Sequence, residues 1–136
     1  MPIYSFGEVL LLCFPFSDAA SVKRRPALVL LDTEDNDLLV ARITGKLAQT
    51  QFDVELQEWQ QAGLRLPSVV RLHKLATLEK RLVERSFGSL SEADLQQVQA
   101  TLSNSHYGNF ARIWLRLLRI FAIDLLEKPM LSFKIS

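Results

Sequence analysis

Apolar residues in the first ninety positions come in short blocks divided by polar turns, which is the spacing of strands. GEVLLLCFPF at 7–16 is the first block. Pro15 must lie at a bulge or strand end, since it has no N–H for a ladder. SDAASVKRR at 17–25 reads as a polar loop, PALVLLD at 26–32 as a second strand and TEDND as the turn after it. LLVARIT at 38–44 is the third strand, apolar on both faces except at Arg42. Such a run suits a strand covered on both sides. KLAQTQF is a second polar loop, DVEL at 53–56 a short strand, and QEWQQAGL a helical turn ended by Gly63.

The stretch SVVRLHKLATLEKRLVERSFGSL fits two periods. Leu72, Leu75, Leu78 and Leu82 allow a helix, whereas Val70, Leu72, Lys74 and Ala76 alternate. The alternation predicts strands over 69–74 and 80–86 with a tight connection. Ser91 then stands as an N-cap with Asp94 at N3, and Leu95, Val98 and Leu102 form one stripe. This predicts a helix ending near Asn104. Five or six short strands and one terminal helix give a mainly β fold, a small barrel or rolled sheet. Residues 1–105 form that domain. Residues 106–136 are a separate tail whose 108–128 segment reads as an apolar helix with Arg112, Arg116 and Arg119 on one stripe. It either packs on the barrel or a dimer mate, or meets a membrane surface or phosphates.

Net charge is +1 over 136 residues, so no general nucleic-acid field surrounds the chain. Residues 1–105 carry 11 basic and 13 acidic side chains, which makes any basic site in the body local. KRR at 23–25 is its densest point. Cys13 is the single cysteine, leaving no internal disulfide or cysteine metal cluster, and its apolar surroundings predict a buried, inert thiol. No basic leader precedes the first apolar run and no stretch is long enough for stable membrane insertion, so the expected compartment is the cytoplasm.

Candidate chemistry sits at Arg25 and Thr44, on adjoining strands. A guanidinium and a hydroxyl at neighbouring strand ends can converge on one phosphate. Lys23 and Arg24 either hold flanking phosphates or keep the loop solvated. Ser17 and Asp18 are placed to orient that loop, and Gln49 and Gln51 to read base edges. Trp59 is either a stacking platform or a core residue.

Four segments in order resemble the MazF/PemK family of toxins from bacterial type II toxin–antitoxin pairs. GEVLLLCFPFSD resembles its Gly-Asp-Val strand with Pro-Phe, RRPALVL its Arg-Pro strand, and VARITG its Ala-x-Ile-Thr-Ser/Gly strand. Residues 53–98 resemble the later half of the PemK-like branch: Trp-x-x-Ala-Gly-Leu, then Pro-Ser, then Leu-x-Arg-x-x-Gly-x-Leu before the last helix. The resemblance covers about residues 5–104. It implies an SH3-like barrel with added helices, usually a homodimer. It also implies a metal-independent endoribonuclease, without cofactor, that cuts single-stranded RNA and is silenced by a cognate antitoxin. The family's catalytic arginine and threonine fall on Arg25 and Thr44. Residues 105–136 have no counterpart, and loop 17–24 lacks the family's glycine.

Two rivals follow from the same residues. CcdB-like toxins share the barrel but poison gyrase through a C-terminal Trp-Gly-Ile, where this chain ends Phe-Lys-Ile-Ser. The other is an inactive binding module whose tail fills the groove.

Overall fold

The computed structural model describes residues 2–15 and 22–103. The tail 106–136, with its arginine stripe and His106, lies outside them, as do Ser17 and Asp18. Six strands form one antiparallel sheet: β1 (Glu8–Pro15), β2 (Val22–Asp32), β3 (Asp37–Thr44), β4 (Asp53–Glu55), β5 (Val69–Glu79) and β6 (Val83–Ser89). Their order is β4-β5-β3-β2-β1-β6. Among the described residues one α-helix, α1 (Glu92–Ser103), follows. The mainly β architecture is as the pattern of apolar blocks requires, but the sheet does not close, and β4 and β6 remain its edges.

β2 and β3 lie centrally and are buried on both faces. Leu28, Leu30, Ala41 and Ile43 join a cluster with Val98 and Leu102 of α1. Ala27, Val29, Leu38 and Val40 alternate with them and join Leu10 and Leu12 in a second cluster on the opposite face. Burial of this kind is worth on the order of 2 kcal/mol for each large aliphatic side chain.

Two local expectations are corrected. The polar residues 22–25 are not loop: β2 begins at Val22, and Lys23, Arg24 and Arg25 pair with Phe14, Cys13 and Leu12 of β1. Ladder hydrogen bonding does not depend on side-chain polarity, so a cationic stretch joins the sheet wherever a neighbouring strand offers its edge. β5 does not stop at residue 74. It runs to Glu79, with a register shift where Ala41 faces Leu75 and Arg42 faces Arg71, and a 3-10 turn at Lys80–Leu82 leads into β6. The helical turn before Gly63 is present: the Ala62 N–H donates to the Glu58 carbonyl, and the Gly63 and Leu64 N–H groups donate back to the Gln60 and Trp59 carbonyls, with Gly63 in the left-handed region (φ 85).

The helix start follows the capping pattern. The Asp94 N–H donates to Ser91 Oγ at 3.2 Å, and Val98 and Leu102 are buried. Among the described residues no helix is long and apolar enough to cross a membrane.

Candidate phosphate pocket

A pocket of about 360 Å³ opens where β1, β2, β3 and β6 meet the segment between β4 and β5. Leu11, Pro26, Ile43, Leu64, Leu66 and Phe87 supply its apolar lining. Arg25, Thr44, Arg65, Ser68 and Arg85 supply its polar lining, with the backbone of Gly45 and Gly63. Among the described residues three guanidinium groups line it and no carboxylate does. That composition favours an anion.

The strands set these positions by alternation. Leu11 pairs with Pro26, and Leu12 with Arg25. Arg25 shares its sheet face with Ala27, and Thr44 shares that face with Arg42, the cross-strand partner of Ala27. Arg25 and Thr44 thus stand on one face of neighbouring strands and Leu11, Pro26 and Ile43 on the other, and the pocket touches both sets. Arg25 Nε is buried and has no hydrogen-bond partner among the described residues. A buried donor left unmade costs about 1–3 kcal/mol, and more when charged. Thr44 Oγ1 accepts from the Lys46 N–H at 3.3 Å, which leaves its own proton to donate.

The fourth wall is residues 63–66, the end of a segment 57–66 that is held from two sides. Asp94, 1% exposed, accepts from the Gln57 N–H at 2.9 Å and the Glu58 N–H at 3.0 Å. The helix cap that orients Asp94 therefore also fixes this wall. Trp59 packs against the α1-side core, which settles its reading as a core residue. On the far side the backbone of this segment meets β6 with no room for a side chain. A Cβ on Gly63 would lie 2.3 Å from the Phe87 carbonyl oxygen, and one on Gly88 would lie 3.0 Å from that of Ala62. This seam brings a segment from one edge of the sheet onto the other.

Sequence-based candidates divide sharply. Arg25 and Thr44 come together at the pocket. Arg24 does not line it: its Nε lies 2.6 Å from Glu84 Oε1, which also accepts from Cys13 Sγ at 3.0 Å. The hydrogen bond from Cys13, then that from Arg24, holds the Glu84 carboxyl below its ordinary value. The bond to Glu84, with a smaller effect of burial, pushes the Cys13 thiol up. Cys13 is thus only partly buried, contrary to expectation, and held as a thiol. Lys23 is exposed. Gln49 and Gln51 also lie away from the pocket. Gln49 donates its N–H to Asp53 Oδ2 at 2.8 Å and meets Arg71 at 3.4 Å, and Gln51 is exposed in the loop before β4. His73 stands 3.6 Å from Asp53, away from the pocket.

Arg65 and Arg85 were not singled out from the sequence. Arg85 lies within the segment that resembles Leu-x-Arg-x-x-Gly-x-Leu, which was the available signal; its guanidinium sits 4.9 Å from the Phe87 ring centre. Arg65 carries no such mark. Among the described residues, no group of three or more His, Cys, Asp or Glu side chains is placed to hold a metal ion.

Fold and pocket together describe a small mainly β protein with an arginine-lined anion site. The sequence matches the profile of the PemK-like, MazF-like toxin of type II toxin-antitoxin systems over residues 5–106, and the chain belongs to that family. Solved structures agree in fold. The chain is similar to a MazF from a Deinococcus radiodurans MazE-MazF structure (21% identity, TM-score 0.61, covering 75% of this chain and 94% of that one). It is also similar to an endoribonuclease solved with its cognate antitoxin from a mycobacterial species (15%, TM-score 0.60, 74% and 92%). A third is the Mycobacterium tuberculosis toxin MazF-mt6 (21%, TM-score 0.56, 70% and 93%). A search of curated proteins found no match.

Proposed function

We propose that the chain is the toxin of a type II pair and acts as a metal-independent endoribonuclease on single-stranded RNA. The observation that carries this reading is Arg25: a guanidinium with a buried, unpartnered Nε, beside Thr44, at a pocket lined by arginines and free of carboxylates. The 2′-hydroxyl attacks the adjacent phosphorus. The O2′–P bond forms and the P–O5′ bond breaks, giving a cyclic phosphate and a 5′-hydroxyl. The 2′ proton passes to water, and the O5′ atom takes a proton from water. Charge grows on the non-bridging oxygens, where Arg25 donates two parallel hydrogen bonds and Thr44 one more. Arg25 acts as charge stabiliser, because a guanidinium stays protonated in proteins. Arg65 and Arg85 neutralise neighbouring phosphates.

Under this reading the partners are single-stranded RNA and a cognate antitoxin that covers the pocket, the active form is a homodimer, and the compartment is the cytoplasm. The domain is 1–105, and 106–136 is an appended tail. The test is cleavage of single-stranded RNA by purified protein with end mapping. Fragments with 5′-hydroxyl ends, insensitivity to EDTA and loss of cutting in Arg25→Ala are expected. Cleavage abolished by EDTA, or surviving loss of Arg25, would overturn the mechanism.

A further inference from the structure

We propose that Arg42 and Arg71 form a second phosphate subsite, so that the backbone of a bound single-stranded RNA runs from Arg25 across β3 to β5. The inference rests on the RNA-binding reading above and adds the direction of the strand over the sheet. Arg42 and Arg71 are direct cross-strand partners. Side chains so paired stand about 5 Å apart at Cβ, and like charges there are destabilising. The sheet nonetheless sets two arginines face to face. Arg25 extends the row, two residues along β2 from Ala27, which pairs with Arg42. That diagonal is about 7–8 Å, a step one nucleotide can span.

Among the described residues neither arginine is in an ion pair, although Asp53, whose Oδ1 is buried without a hydrogen-bond partner, stands opposite Arg71. Arg71 Nε is buried without a hydrogen-bond partner, and Nη2 makes only a long 3.4 Å contact to Gln49 Oε1. Asp53 faces Arg71 from β4, but its Oδ2 is engaged by the Gln49 and Thr50 N–H groups, at 2.8 and 3.0 Å. Its Oδ1 faces His73 Nδ1 at 3.6 Å. Glu55, on the same face of β4, is exposed. The ligand that suits two opposed guanidiniums with an unmet buried donor is a phosphodiester, which offers two anionic oxygens to a bidentate fork.

The test measures binding of a single-stranded RNA carrying 2′-O-methyl groups throughout, which removes the attacking hydroxyl and separates binding from cleavage. Removing one phosphate-neutralising charge should flatten the plot of log affinity against log salt by about 0.7. Arg42→Gln and Arg71→Gln are each expected to produce that change and a severalfold weaker affinity, while Arg42→Lys and Arg71→Lys keep the slope. Folded Gln variants with the wild-type slope, or a wild-type protein that binds no RNA, overturn the subsite. If the Gln variants do not fold, the Nε–Hε signals of Arg42 and Arg71 in the intact protein decide: movement on adding RNA supports the subsite, and no movement overturns it. Cleavage that fails in the wild type while the slopes change as stated removes the nuclease and leaves the subsite standing.

Discussion

At its C-terminal end β2 sets Asp32 against the Lys80 ammonium at 2.9 Å, with both side chains almost wholly buried. The carboxylate also accepts from the N–H groups of Tyr4 at 2.8 Å and Glu34 at 2.7 Å, and Lys80 donates its own N–H to the Asn36 carbonyl. At the other end of the same strand, Arg25 keeps a buried Nε with no partner. Among the described residues the buried Asp32 carboxylate has its partners supplied by the fold, whereas the half-buried Arg25 has none for its buried Nε. A buried donor left without a partner is costly, so the saturated end is architecture and the unsaturated end is the proposed place for a ligand.

The contrast can be broken from either side. Lys80→Ala leaves Asp32 buried without its cation and should cost about 3–5 kcal/mol of unfolding free energy, read from denaturant melts. Activity per folded molecule should be unchanged. Arg25→Gln should behave in the opposite sense. Its stability should stay near wild type or rise, while RNA cleavage falls by about 10²–10³ in kcat. If Arg25→Gln unfolds the protein as Lys80→Ala does, the two ends are alike and the contrast is wrong.

Asp94→Ala lies between these cases, because it removes acceptors from Gln57 and Glu58 at the start of the segment whose end lines the pocket. A loss of about 1–3 kcal/mol is expected, with a rise in KM larger than the fall in kcat. An unchanged KM would show that the wall stands without the helix.

The smallest effect concerns Cys13, Arg24 and Glu84, which are solvent-facing and carry no stability figure. Glu84 has its carboxyl lowered from 4.5, so its contribution holds above that pH and is lost as pH falls through the lower folded value. Cys13 is raised from 9.0, so the thiol contact holds below that pH and is lost as pH rises through the higher folded value. Iodoacetamide labelling at pH 8 should therefore be slower than for a free thiol, and Glu84→Gln should speed it severalfold. Labelling at equal rates would remove Glu84 as the cause.

Much of this was legible in the chain. β1, β3 and the start of α1 follow from apolar blocks and the Ser91–Asp94 cap, which are local signals. Arg25 and Thr44 were found because they sit in segments that resemble a family. What escaped depends on distant partners. The Lys23–Arg25 stretch looks like loop until β1 lies beside it, and β5 looks divided until β3 carries it past residue 74. Arg42 and Arg71 are 29 positions apart in the sequence and unremarkable singly; only the β3–β5 register makes them neighbours. Asp94 reads as a cap, and its reach to Gln57 and Glu58 is invisible without the fold.

That reach has a kinetic consequence. The two amides at the start of the segment that ends as the pocket wall are held by a carboxylate in the first turn of α1, so they open together. The lifetime of the wall is then the lifetime of that helical turn. In hydrogen exchange, Gln57 and Glu58 should keep time with the amide of Asp94, although 36 positions separate Glu58 from it. A partner that tugs on the start of α1 would loosen the anion site without ever touching it.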